Sequence, residues 1–276
     1  MSDAIRAVVF DWAGTMVDFG CCAPVRALQS VLAEAGIQAS EADIRRDMGM
    51  AKRAHIARLL AMPEQAAQWR AIHGRASGQA DIDRLHDAVE PLMIAAAAEC
   101  AELIPGAAAT VEALRARGIR IGSNTGYTRA MMAAILPRAA AQGYAPDALV
   151  CAGETAEGRP SPLMLWRALV ELGVWPAAAC VKVDDAPVGI AEGRNAGVWT
   201  VGVAASGNGV GLTSDQLMTL TPSERGRRIA ASAALLREAG AHVVIDSVAD
   251  LLPVLDEIEA LRRTGSQPTN CVSRSD

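Results

Sequence analysis

The chain has 276 residues, about half of them hydrophobic (51%), and a net charge of −5 with a pI near 5.5. That length allows one large domain or a core with an insert, and the acidic balance speaks against a nucleic-acid partner. No uninterrupted apolar run reaches the roughly 18 residues of a membrane span, and Asp3 and Arg6 lead straight into the first apolar segment, so neither a transmembrane helix nor a signal peptide is expected.

Short apolar runs alternate with helical patterns. Strands are predicted at 7–10, 119–123, 148–152, 180–184, 200–204 and 242–245. The alternation predicts an α/β fold, a doubly wound parallel sheet covered by helices on both faces. From about Cys21 to Cys100 there is no strand signal, and a stretch rich in Ala, Leu, Arg and Glu reads as several helices. The expected organisation is a discontinuous core of residues 1–20 and 100–263 with an all-α insert at 21–99. Residues 264–276 are polar and are expected to form a disordered tail. Aromatics make up only 3%, so aliphatic and alanine packing must build the core. Six scattered cysteines without zinc spacing suggest free thiols in a reducing cytoplasm. The loop Gly207-Asn208-Gly209-Val210-Gly211 lacks the early βαβ setting of a dinucleotide fingerprint and reads as flexible.

Four strand ends carry chemistry. The run Val8-Val9-Phe10 ends on Asp11, followed by Trp12-Ala13-Gly14-Thr15. A carboxylate at the carboxyl end of a first parallel strand sits where open α/β sheets build their sites. It can serve as a nucleophile or a Mg²⁺ ligand, or simply cap the next helix. The second strand runs into Ser123-Asn124-Thr125-Gly126, whose hydroxyl and nearby N–H groups can hold a phosphoryl oxygen. Gly158-Arg159-Pro160 precedes a helical pattern starting near Leu163 and offers a cation. Val181-Lys182-Val183 closes on the paired acids Asp184 and Asp185, which suit a metal. Each piece alone is ordinary turn chemistry; their joint order is not.

Only two residues, Lys52 and Lys182, are lysine, against 24 arginines. A retained lysine invites a role a guanidinium cannot fill, such as an amine that loses its proton and attacks a carbonyl. Met48 and Met50 can supply apolar surroundings for Lys52, although a solvated surface lysine is the common alternative. His55, three residues on, would share its helix face and relay a proton, or be a plain surface histidine.

These segments resemble motifs of the haloacid dehalogenase superfamily of phosphoryl-transfer enzymes. Its first motif is usually Asp-x-Asp-x-Thr, and here Ala13 replaces the second aspartate, which in superfamily phosphatases protonates a leaving oxygen. Met48-Gly49-Met50-Ala51-Lys52, Thr125-Gly126-Tyr127-Thr128, Gly158-Arg159-Pro160 and Asn195-Ala196-Gly197-Val198-Trp199-Thr200-Val201-Gly202 are similar to one branch, the phosphonoacetaldehyde hydrolases, over roughly residues 5–261. The resemblance implies hydrolysis of a carbon–phosphorus bond to acetaldehyde and phosphate, on a small phosphonate substrate. It implies that Lys52 forms a Schiff base and that Asp11 becomes an aspartyl phosphate. Mg²⁺ would be held by Asp11, the carbonyl of Ala13 and Asp185. Thr125, Gly126 and Arg159 would bind the phosphoryl group, with Cys21, Met48 and His55 lining the site from a mobile cap and Tyr127 from the core. An enamine leaving group needs no oxygen protonation, which suits Ala13. In the metal motif some members carry an acid where this chain has Gly189 and a glycine where it has Asp184, so Asp184 would compensate. Family analogy also implies a homodimer through the cap, with the apolar helices between Cys21 and Ala35 as the contact. The competing expectations are a phosphatase or mutase acting on a phosphate ester, and an inactive binding relative.

Overall fold

The computed structural model describes residues 4–269. Strand β1 (Ala7–Phe10) is followed by five helices, α1 (Cys22–Glu34), α2 (Glu41–Arg46), α3 (Lys52–Ala61), α4 (Pro63–His73) and α5 (Gln79–Glu99). Strands and helices then alternate: α6 (Ala107–Ala116), β2 (Arg120–Thr125), α7 (Arg129–Ala141), β3 (Ala148–Cys151), α8 (Leu163–Leu172), β4 (Cys180–Asp184), α9 (Pro187–Ala196) and β5 (Trp199–Val203). The last are α10 (Ser214–Thr219), α11 (Pro222–Glu238), β6 (Val243–Ile245) and α12 (Leu251–Arg263). All six predicted strands form, with ends shifted by a residue or two.

The strands make one parallel sheet in the order β3-β2-β1-β4-β5-β6. Every residue of β1 and β4 is buried, as expected for strands covered on both faces. Alternation along β1 divides the core. Val8 and Phe10 join the large apolar cluster shared with the helical insert, and Ala7 and Val9 join a second cluster under α8. Trp12 and Phe10 pack on Tyr144 with ring centroids 4.8 and 6.3 Å away, an aromatic cluster beneath the first strand's end.

Register fixes the site. Phe10 lies opposite Ser123 on one side and Val183 on the other. Asp11, Thr125 and the pair Asp184–Asp185 therefore emerge together at the carboxyl edge of the sheet. The strand order reverses between β1 and β4, where such sheets open a crevice.

Two features depart from expectation. The tail is docked at its start: the carbonyl of Pro268, itself buried, accepts from His242 Nε2 at 2.8 Å and Arg194 Nη1 at 2.6 Å. Residues 270–276 lie outside the described range. The apolar side of α1 is turned into the chain's own core, with Val25, Leu28, Val31 and Leu32 buried and Arg26, Ser30, Ala33 and Glu34 exposed.

Candidate active site

The turn after β1 wraps around an acid from β4. Gly14 has φ +87°, and a Cβ there would stand 2.3 Å from Asp185 Oδ2, so only glycine fits. Thr15 Oγ1 donates to Asp185 Oδ1 at 3.0 Å, and the N–H of Asn208 donates to Asp185 Oδ2 at 2.7 Å. Asp11 Oδ1 accepts from Arg159 Nη1 at 2.8 Å.

Behind Asp11 lies a buried charge network. Arg159 Nη2 donates to both the carbonyl and Oδ1 of Asn124 at 2.7 Å, and its Nε lies 3.1 Å from Glu192 Oε2. Lys182 Nζ lies 3.0 Å from Asp184 Oδ2 and 3.6 Å from Glu192 Oε2, and donates to Asn124 Oδ1. Asn124 Nδ2 closes the circuit by donating to Glu192 Oε1 at 2.8 Å. Asp184 Oδ2 sits 3.5 Å from Arg159 Nη1. A Cβ at position 189 would be only 1.9 Å from Asp184 Oδ2, so Gly189 vacates the space the Asp184 carboxylate fills. The acid at 184 and the glycine at 189 are sterically one feature.

Four buried carboxylates (Asp11, Asp184, Asp185, Glu192) thus meet two buried cations (Arg159, Lys182). The imbalance shows in the acids. Burial, and after it the Asp184 charge, push Asp11 up to about 6 against the pull of Arg159 and Lys182. Burial and then the charges of Asp11 and Asp184 hold Asp185 well above the usual carboxylate range. One oxygen from each of Asp11, Asp184 and Asp185 falls within 4.8 Å of the others. A hard divalent cation suits oxygen donors crowded in this way. Asp185 lines the cavity, whereas Asp184 is turned to Lys182 and to the N–H of Ala186.

The insert closes the cavity from above. Gly126 permits this, since a Cβ there would lie 2.7 Å from the Met50 carbonyl and 2.8 Å from that of Gly49. Cys21, Met48 and Lys52 from this side, and Asp11, Ala13, Thr125, Gly126, Tyr127 and Asp185 from the sheet edge, line one cavity of about 20 Å³. That is room for about one water. Cys21 is held in the left-handed region, φ 50°, because Asp18 gathers the N–H groups of Cys22 and Ala23 at 3.0 Å. Burial raises its thiol well above the ordinary value, which keeps the reactive thiolate scarce.

Lys52 opens α3 and is 3% exposed. Among the described residues no carboxylate comes within salt-bridge distance; Nζ lies 5.6 Å from the Tyr127 ring centroid. Burial, with a smaller push from Arg159, lowers its pKa from 10.5 to about 8. His55 is fully buried one turn on, but it does not line the cavity. Its Nε2 meets the Ile44 carbonyl at 2.8 Å, so Nε2 carries the hydrogen, and burial lowers its pKa to about 3. The ring is a neutral strut between α3 and α2.

Asn124, Lys182, Glu192 and Asn208 were not singled out from sequence. Lys182 carried one signal, being the other lysine; the rest carried none.

The fold and this acid-rich strand edge define a haloacid dehalogenase-like hydrolase, and the family model of that description matches residues 5–197. Phosphonoacetaldehyde hydrolases of Paraburkholderia xenovorans and Paraburkholderia phytofirmans are 51% and 50% identical over 264 residues, 96% of this chain and 99% of each relative. A solved structure of a phosphonoacetaldehyde hydrolase-like protein from Oleispira antarctica matches with a TM-score of 0.94 at 41% identity, covering 96% of both chains. The chain belongs to the phosphonoacetaldehyde hydrolase family. Among the described residues no helix is long and apolar enough to cross a membrane, and the cysteines are unpaired.

Proposed function

We propose that this chain hydrolyses the carbon–phosphorus bond of phosphonoacetaldehyde, giving acetaldehyde and phosphate, with Lys52 as the amine and Asp11 as the nucleophile. The observation that carries this reading is a buried amine without a salt bridge in the same cavity as the first-strand aspartate, over a position, Ala13, that has no acid to protonate a leaving oxygen.

Direct displacement at phosphorus would expel a carbanion. Neutral Lys52 avoids this by adding to the aldehyde; the adduct takes up one proton from solvent and loses water, which leaves a protonated imine. A carboxylate oxygen of Asp11 then bonds to phosphorus as the carbon–phosphorus bond breaks, and that electron pair moves into the imine to give an enamine. Water hydrolyses the aspartyl phosphate. The enamine takes a proton on carbon, and water releases acetaldehyde and regenerates Lys52. Arg159, already aimed at Asp11, holds phosphoryl oxygens with Thr125 Oγ1 and the Gly126 N–H. Asp11, Asp185 and the Ala13 carbonyl would hold Mg²⁺, whose charge lets a carboxylate and a phosphonate approach each other. Asp184 neutralises Lys182 and steadies Arg159 from behind. Exclusion of water by the helical insert, acting as a cap, protects the imine.

The same reading takes the protein as a cytoplasmic enzyme and a homodimer. The unpaired cysteines support a reducing compartment. Light scattering tests the dimer, whose contact would lie away from the buried side of α1. The activity test is release of acetaldehyde and phosphate from phosphonoacetaldehyde by purified protein, with and without Mg²⁺. Equal, Mg²⁺-dependent amounts are expected. No release from folded protein with metal present would overturn the reading and favour phosphate-ester hydrolysis.

A further inference from the structure

The glycine-rich segment between β5 and α10 is closely fitted to its neighbours. A Cβ on Gly207 would stand 2.5 Å from Asp185 Cβ, and one on Gly209 would stand 2.4 Å from Ser232 Oγ. Gly211 has φ +66°, and its Cβ would meet Arg45 Nε at 2.7 Å. Ser206, at the entrance of the segment, donates to the Gly14 carbonyl at 2.7 Å and accepts at its own carbonyl from the Gly20 N–H at 2.7 Å. The segment is wedged between the turn after β1, the start of the insert and the acid at the end of β4.

One residue of it faces both ways. The main-chain N–H of Asn208 donates to Asp185 Oδ2 at 2.7 Å. Its side chain is engaged by the insert: Oδ1 accepts from Arg45 Nη1 at 3.2 Å, and Nδ2 donates to the Arg45 carbonyl at 2.8 Å. Arg45 stands on α2, yet its guanidinium is spread over the turn that enters the insert and the 207–211 segment. Nη1 donates to the Gly20 carbonyl at 2.9 Å and Nη2 to that of Gly211 at 3.1 Å. Its one salt bridge among the described residues, to Glu41 at 3.5 Å, lies within its own helix.

We propose that Arg45 and Asn208 form a latch that couples closure of the helical insert to the seating of the Asp185 carboxylate, both acting as positioning residues. The cavity admits about one water, so substrate enters only when the insert withdraws. Withdrawal of α2 takes Arg45 from the 207–211 segment and frees the Asn208 side chain. The N–H that fixes Asp185 Oδ2 then loses its anchor to the insert and is held by the segment's core contacts alone. Closure restores both, and the acid is set when Lys52 arrives. The bonds join a guanidinium to neutral oxygens at a partly exposed joint, each of modest net strength, as a reversible latch requires.

The inference rests on Asp185 as a metal ligand in the function proposed above, and two readouts separate the two. The first is acetylation of the full chain by acetic anhydride, resolved by site with mass spectrometry. Lys182 is fully buried in the core and serves as the internal control, so Lys52 reports opening of the insert. The second is Mn²⁺ binding, followed by electron paramagnetic resonance without substrate. Arg45→Ala and Asn208→Ala should each raise Lys52 acetylation and weaken Mn²⁺ binding by roughly tenfold, the scale of one or two lost hydrogen bonds. Combining them should give less than the sum of the two effects, since both lose the Arg45 Nη1–Asn208 Oδ1 contact. Arg45→Lys, which keeps a donor for the Gly20 and Gly211 carbonyls, should recover much of both. Folded Arg45→Ala protein with unchanged Lys52 acetylation, or with faster acetylation but unchanged Mn²⁺ affinity, would overturn the coupling. If Arg45→Ala does not fold, Asn208→Ala decides by the same readouts. Failure of the wild-type protein to bind Mn²⁺ at all would instead remove the metal role of Asp185, and with it the coupling.

Discussion

The two lysines of this chain occupy opposite halves of one site, and their surroundings differ as much as two buried amines can. Lys182 sits in the core half with Asp184 at 3.0 Å and Glu192 at 3.6 Å, in a network shared with Arg159 and Asn124. Lys52 sits in the insert half beside Met48 and Tyr127, with no salt bridge among the described residues. The core half fixes charges, which binding and attack on a phosphoryl group demand. The insert half removes water and withholds a counter-ion, which brings an amine within reach of its neutral form. Burial alone defines neither role; the partner does.

The comparison can be broken from either side. The largest effect is expected for Asp11→Ala, which removes the proposed nucleophile and should abolish phosphate release; a variant with normal turnover would take Asp11 out of the chemistry. Lys52→Arg keeps a cation but cannot form an imine, so turnover should fall by about a thousandfold or more while Mn²⁺ binding and fold persist. Lys182→Met strips two buried carboxylates of their partner and should destabilise the fold by about 3–5 kcal/mol in urea unfolding. A neutral effect there would mean that the core network is not held by charge.

A further consequence concerns pH. The Lys52 pKa of about 8 lies below the ordinary 10.5. Below 8 both folded and unfolded chains carry the proton, and the folded chain bears the full cost of the buried charge. Between 8 and 10.5 the folded amine is neutral while the unfolded one is charged, so that cost fades as pH rises. Lys52→Met should therefore be more stable than the wild type by roughly 3 kcal/mol below pH 8, with the gap closing by about pH 10.5 in paired melts. For the same reason kcat/KM should rise through pH 8. The smallest effect is expected for His55→Gln. The neutral ring props α2 through the Ile44 carbonyl, so turnover should change by less than about tenfold with an unaltered pH profile. A lost alkaline or acid limb would restore His55 as a proton carrier.

Much of this was legible in the sequence because it lies at strand ends. β1 is written as an unbroken apolar run, and β2 and β4 as shorter apolar stretches, interrupted by Arg120 and Lys182, that close on a hydroxyl and on paired acids, so all three could be placed. Asp11, Thr125 and Asp185 converge because parallel strands in register must end together. Three kinds of information were not local. Asn124 and Glu192 meet across 68 positions, and nothing in their neighbourhoods marks the pairing. The segment Gly207–Gly211 looked flexible because glycine count does not reveal that each missing Cβ makes room for Asp185, Ser232 or Arg45. The spacing of Lys52 and His55 put both on one helix turn, but spacing could not show that the ring would turn to a carbonyl of α2.

The central claim, an imine on Lys52, is open to a direct measurement. Borohydride is added to the enzyme during turnover of phosphonoacetaldehyde, and the protein is digested and mapped by mass spectrometry. The account predicts loss of activity with a reduced two-carbon adduct on Lys52 and none on Lys182. Undiminished release of acetaldehyde and phosphate in the presence of borohydride, with Lys52 unmodified, would contradict it.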